Sequence, residues 1–173
     1  MLKYEIKDFP LDQDNLMLAE TLFHNANGYL GVRSNFEEGY SENMDSIRGE
    51  YINGFYDFAS SPQAEKLCGL VEEKQTMLNV ADTQGIEIYI EGERFSMFEG
   101  EVLGRTRTLD MEAGTTLREV LWRSPKGKTV RIEIKRMASF ALLPFFLIEY
   151  KVTPVDFSGE VKICSTHIGK VMN

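Results

Sequence analysis

Ile86-Glu87-Ile88-Tyr89-Ile90-Glu91-Gly92-Glu93-Arg94-Phe95-Ser96-Met97-Phe98 is the stretch that decides the fold. Ile86, Ile88 and Ile90 share one side of an extended chain, and Glu87, Tyr89 and Glu91 share the other, a period of two that only a strand produces. Glu91-Gly92-Glu93 reads as a tight turn, so the chain doubles back through Arg94–Phe98 as a hairpin.

The same period extends towards the C-terminus. Gly104–Met111 places Arg105, Arg107 and Leu109 opposite Thr106, Thr108 and Asp110. Ala113-Gly114 turns the chain into Thr115–Arg123, and Ser124-Pro125-Lys126-Gly127-Lys128 turns it again. Val130, Ile132 and Ile134 then alternate with Arg131, Glu133 and Lys135. Phe146, Ile148, Tyr150 and Val152 alternate with Leu147, Glu149 and Lys151, and Val161 and Ile163 flank Lys162. Connections this short join antiparallel neighbours, because a parallel crossover needs a dozen or more residues. Strands with one apolar and one charged face pack in two layers. The expected fold is all-β with one short helix, an antiparallel β-sandwich of about seven or eight strands.

Towards the N-terminus the pattern is weaker. Residues 3–9 read as a strand. Asp14 or Asn15 is placed to cap a helix of about three turns in which Ala19, Leu22, Phe23 and Ala26 recur at helical spacing. Asn27-Gly28 stops it, since both tolerate a left-handed backbone. From Asn27 to Ser61 the chain is rich in Gly, Asn, Ser and aromatics, which predicts long connections with a short strand near Tyr51–Phe55.

Composition excludes several functions. The 173 residues suit one domain, and 43% hydrophobic with 27% charged content is that of an ordinary globular protein. A formal charge of −8 with scattered Lys and Arg argues against nucleic acid and anionic membranes. Ala141–Ile148 is the longest apolar run, and its length and Pro144 exclude a membrane span. Met1–Asp8 is charged and lacks the apolar centre of a secretory signal, so a cytoplasmic location is expected. Cys68 and Cys164 form no CxxC pair; two buried free thiols are expected, with a disulfide between them as the alternative. The last strand runs into Cys164–Asn173 without a closing turn. An open edge invites association, so the chain is expected to be cut inside a larger fold.

Chemistry is sparse. His24 and His167 lie in no ligand spacing, and no metal site is expected. No GxSxG elbow is present. Gly28-Tyr29-Leu30-Gly31 lacks the third glycine of a dinucleotide loop and the Lys-Ser/Thr of a P-loop, so its glycines read as a sharp turn with close packing. Glycoside cleavage needs a proton donor and a base or nucleophile across the sugar. Glu37-Glu38, Glu72-Glu73 and Asp110 are carboxylates, but nothing singles out a pair. Tyr51-Ile52-Asn53-Gly54-Phe55-Tyr56-Asp57-Phe58 mixes aromatic and polar groups; it either borders a sugar site, packs against another domain or fills the core.

A set of ordered motifs adds a resemblance. Glu20-Thr21-Leu22-Phe23, Asn27–Gly39, Gly49–Asp57, Ile90–Phe95, Arg107–Met111, Gly114–Leu117, Trp122–Gly127 and Lys135–Ser139 together resemble the opening of glycoside hydrolase family 65, the family of maltose, kojibiose, trehalose and nigerose phosphorylases. Ser34 stands where family members usually have glycine, and Met77–Asp82 matches only loosely. The resemblance implies an N-terminal β-sandwich of the galactose-mutarotase-like, super-β-sandwich kind, joined in the family to an (α/α)6 barrel absent from residues 1–173. That barrel carries the general-acid glutamate and the phosphate site, and the reaction is inverting phosphorolysis of an α-linked disaccharide with inorganic phosphate as co-substrate and no cofactor. The chain alone is then an inactive accessory domain with no catalytic residue of its own, its partner is its own barrel, and a homodimer stays open. Asn27, Tyr29, Arg33, Asn35, Tyr51, Tyr56 and Asp57 are the candidates for facing that barrel or the substrate, with Arg33 and Asn35 equally suited to bracing their own turns. Two other readings stand beside this one. The first is a stand-alone carbohydrate-binding module using Trp122, Tyr51 or Tyr56. The second is a mutarotase-like isomerase using His24 or His167.

Overall fold

The computed structural model describes residues 2–60, 62, 69 and 72–171. Its elements are β1 (Lys3–Lys7), α1 (Gln13–Leu22), β2 (Asn25–Ala26), β3 (Leu30–Val32), β4 (Glu50–Ser60), β5 (Glu73–Asn79), β6 (Asp82–Ile90), β7 (Glu93–Arg94), β8 (Glu101–Asp110), β9 (Thr115–Arg123), β10 (Thr129–Ala138), β11 (Phe146–Pro154) and β12 (Val161–Ile168). The chain is all-β with one short helix, as its alternation predicts.

Three antiparallel sheets form. One has the order β1-β8-β9-β10-β11, a second β12-β6-β7 and a third β2-β3-β4-β5. The predicted hairpins are present: β8 meets β9 from Glu101↔Arg123 to Asp110↔Thr115, and β9 meets β10 from Thr115↔Met137 to Arg123↔Thr129. The β6–β7 turn has φ of 48° at Glu91 and 81° at Gly92. Two positive φ values make it the mirror-image turn whose twist suits a two-residue hairpin.

The inner face of β9 and β10 supplies Val120, Trp122, Val130, Ile132 and Ile134 to the core, and β6 supplies Ile88 and Ile90 from the facing layer. Phe36, Phe95 and Leu16 of α1 complete it. Trp122 is fully buried, meets Phe95 edge-on at 5.4 Å and donates its Nε1–H to Glu99 O at 2.7 Å. Such a ring fills the core and presents no face to a sugar.

Several expectations shift. β1 stops at Lys7, because Asp8 takes φ of 45° and Phe9 turns into the core. Asp12 caps the helix, accepting the Asn15 backbone N–H at 2.9 Å, so Asp14 and Asn15 belong to its first turn. The helix ends at Leu22, not at Asn27-Gly28: Phe23 caps it and Asn25-Ala26 pair with Gly31 and Val32. Ala19 and Phe23 are buried as their spacing predicts, while Leu22 and Ala26 are exposed. Residues 95–98 leave the sheet after Arg94 because Phe95 and Met97 are drawn into the core. Among the described residues twelve strands exceed the expected seven or eight, since β2, β3 and the long β4 run through the Gly- and Asn-rich stretch. A φ of 86° at Gly54 and a register shift between Tyr51 and Tyr56 break the alternation of β4. Cys164 is a free, half-buried thiol on β12; Cys68 lies outside the described residues.

Candidate functional site

Residues 33–50 cross between the sheets as a nearly strandless segment, and they carry a dense set of buried charges. Arg118, on the core side of β9, holds Glu38 with both ends of its guanidinium, at 2.7 and 2.5 Å, and reaches Glu37 at 2.6 Å. Arg136, on the core side of β10, donates from Nε to Glu37 Oε1 at 2.5 Å and from Nη1 to Gln84 Oε1 at 2.9 Å, and also binds Asn35 O. Arg107 of β8 donates from Nη2 to Ser34 O at 2.8 Å and Ser34 Oγ at 2.6 Å. Phe36 lies among them, 4.4 Å from the Arg118 guanidinium and 5.6 Å from that of Arg107.

Helix α1 contributes the next tier. Glu20, buried, accepts from Tyr40 Oη at 2.5 Å, Ser46 Oγ at 2.9 Å and Arg33 Nη2 at 3.2 Å. Burial and the adjacent Glu20 carboxylate push the Tyr40 hydroxyl well above its ordinary range. Arg48 pairs with Asp82 and donates to Phe36 O at 3.1 Å. The segment's carbonyls and carboxylates are thus tied to β8, β9 and β10 and to Arg48 of the segment itself.

These contacts decide what Glu37 and Glu38 do. Burial alone raises a carboxyl's pKa, but at Glu37 the Arg136 and Arg118 guanidiniums outweigh it and hold the pKa below its usual value. A general acid must keep a proton to give near neutral pH. Glu37, locked between two arginines, has none to give, and Glu38 is gripped by Arg118 at both oxygens, so both are architectural. Among the described residues no group of three or more His, Cys, Asp or Glu is arranged to hold a metal ion.

The seven candidates separate into two groups. Asn35 is buried and donates to Ser46 Oγ at 2.6 Å, and Arg33 turns onto Glu20; both face inward to the charge cluster. The others line the outer sheet. Asn27 Oδ1 accepts Tyr29 N and Leu30 N at 3.0 and 2.9 Å, while its Nδ2 donates to Ser139 O and Leu143 O at 2.6 and 2.9 Å. Tyr29 is exposed, and its carbonyl accepts Asn53 N at 2.7 Å. Tyr51 pairs with Gly31 across β3–β4, Tyr56 donates to Asn53 Oδ1 at 3.2 Å, and the exposed Asp57 accepts its neighbour Phe58 N at 2.9 Å. Tyr51, Ile52, Leu30, Val80 and Phe145 line an open groove of about 390 Å³. Beside it the turn after β10 exposes Phe140, Leu142, Leu143 and Phe145.

Sequence reasoning missed Arg107, Arg118, Arg136, Glu20 and Gln84. A signal exists: Arg118 shares its strand phase with Val120 and Trp122, and Arg136 shares its own with Ile132 and Ile134. A charge in the apolar phase of a strand announces a buried partner. His24 is exposed and its ring Nδ1 meets Thr21 O at 2.7 Å, and His167 is exposed on β12.

The model of the glycosyl hydrolase family 65 N-terminal domain matches residues 7–173. The chain belongs to that family. It is 44% identical to an alpha,alpha-trehalose phosphorylase of Geobacillus stearothermophilus, over 99% of this chain and 23% of that protein. It is 33% identical to a kojibiose phosphorylase of Halothermothrix orenii, over 97% of this chain and 20% of the relative. A solved structure from human microbiome, provisionally named a kojibiose phosphorylase, superimposes with a TM-score of 0.73 at 24% identity, over 92% of this chain and 21% of that one, and shares the fold. This family 65 domain spans about a fifth of the length of the curated relatives it matches.

Proposed function

We propose that this family 65 domain is the N-terminal β-sandwich of a disaccharide phosphorylase whose chemistry is done elsewhere in the polypeptide. In that protein an (α/α)6 barrel, outside residues 1–173, supplies the glutamate that protonates the glycosidic oxygen while inorganic phosphate attacks the anomeric carbon. The observation that carries this reading is the full engagement of Glu37 and Glu38 by Arg118 and Arg136, which removes the signature segment's carboxylates from acid–base work. The named activities of the relatives, and the small share of their length matched, support it.

The work of this chain is then positional. The ion pairs fix residues 33–38, and the β2–β3 turn with the adjoining β4 presents Asn27, Tyr29, Tyr51, Tyr56 and Asp57 towards the barrel or the substrate mouth. Arg33 ties the start of the 33–38 segment to Glu20 of α1, and Asn35 ties it to Ser46. Exposed rings mixed with amides suit either a sugar or a domain contact.

The test compares the 173-residue chain with the complete gene product in phosphate and trehalose, kojibiose or maltose. The complete protein is expected to release a glucose phosphate from one of them, and the chain alone none. Turnover by the chain alone overturns the reading. Calorimetry of the chain with each sugar separates off the binding-module alternative, which requires saturable heat.

A further inference from the structure

The buried charges around residues 33–38 do not balance. Glu37 and Glu38 are matched by the buried Arg118 and Arg136, Glu20 by the half-buried Arg33, and Asp82 by the half-buried Arg48, which leaves the buried Arg107 without a carboxylate partner among the described residues. The surplus falls on Arg107. Among the described residues its only hydrogen-bond partners are the neutral Ser34 carbonyl and hydroxyl, and its Nη1, buried, has none. The rings of Phe23 and Phe36, 5.0 and 5.6 Å away, offset part of that charge. Burial, with Arg118 and Arg136 close by, pushes the guanidinium down to about 9.

A cavity of about 10 Å³ lies beside it, walled by Arg107, Ser34, Asn35, Glu37, Thr116 and Arg118. That is room for a single guest of water size. Ser34 Oγ already accepts from Arg107, which leaves its own hydrogen to donate. Both oxygens of Glu37 are occupied by Arg118 and Arg136. Asn35 Oδ1, which has no partner, would be served by a water instead. An unmet amide oxygen costs less than an unmatched buried charge, so the charge governs.

We propose that this cavity binds one small monovalent anion of the chloride type, held by Arg107 Nη1 and the Ser34 hydroxyl. A counter-ion there completes the neutral packing of the segment that carries Glu37 and Glu38, independently of what the rest of the polypeptide catalyses.

Thermal unfolding of the chain at about pH 7 and constant ionic strength, with sodium gluconate replaced stepwise by sodium chloride, tests it. A Tm that rises and saturates with chloride is expected. Arg107→Gln is expected to abolish the response, and Ser34→Ala to raise the half-saturating chloride several-fold. Equal Tm in the two salts, the result of a cavity holding water, overturns the proposal. A chloride response that survives in Arg107→Gln does the same. Should that variant fail to fold, an unshifted half-saturation in Ser34→Ala is the overturning result.

Discussion

Arg118 shows how much one residue can carry here. Its guanidinium is buried and spans two carboxylates, with Glu38 gripped at both oxygens. Removing one member of such a set leaves the others charged and dry, which costs about 3–5 kcal/mol. Arg118→Met is therefore expected to lower the unfolding free energy by about that amount in urea titrations followed by tryptophan fluorescence. Arg123 is the control on the same strand. It pairs with Glu101 at 2.9 Å, but both side chains are about half exposed, and Arg123→Met should change stability by under about 1 kcal/mol. A similar loss in both variants would remove the special role of the cluster. Composition did not distinguish these two arginines, but phase along β9 does: Arg118 falls with Val120 and Trp122, whereas Arg123 falls outside. In the sequence nothing singles out Glu37-Glu38 among the carboxylates, because their partners lie 80 and more residues away. Spacing cannot show a contact of that range.

At the level of elements, legibility followed regularity. β9, β10 and β11 alternate without interruption; the predicted bounds of β9 match, and the alternation read over 130–135 and 146–152 falls inside β10 and β11. β2 and β3 have two and three residues, too short for any period to register. The helix boundaries slipped because Asp12, Asp14 and Asn15 all have capping side chains, and only the path of the chain selects Asp12. Asn27 reads from the sequence as the stop of the helix, but it closes the β2–β3 turn and ties it to the turn between β10 and β11. Four hydrogen bonds meet on that one amide. Asn27→Ala strands backbone groups on both turns, and a loss of roughly 2 kcal/mol is expected. The decisive readout is local: hydrogen exchange should quicken at residues 139–145 as well as at 29–30. Acceleration confined to 29–30 would show that the apolar turn of Phe140, Leu142 and Leu143 is held by other means.

For the molecule as a whole, the buried charges make stability depend on pH with two opposing limbs. Glu37 has its pKa held below the ordinary 4.5 because Arg136 and Arg118 overcome its burial. A depressed folded pKa contributes stability that is complete above the unfolded value and is lost as pH falls through the folded one. Glu50 behaves the other way. It is largely buried on β4 with Asp82 nearby, and burial, helped by that like charge, raises its pKa despite hydrogen bonds from Thr83. Its favourable share is complete below 4.5 and disappears as pH rises through its elevated folded value. Descending from pH 7, the chain should first hold or gain stability as Glu50 takes up its proton. It should then lose stability below about pH 4.5 as Glu37 begins to protonate, at up to about 1.4 kcal/mol per pH unit for each proton of difference. Asp12, Asp110, Asp156 and Glu91, all with lowered pKa values, add to the acid limb. Urea unfolding at half-unit steps from pH 3 to 8 reads both limbs. Glu50→Gln should flatten the upper limb and leave the lower one unchanged, because the two carboxylates answer to different surroundings. If the lower limb moved with Glu50→Gln, the two sites would be one coupled unit, and the ion pairs to Arg118 and Arg136 would not by themselves set the acid limit of the fold.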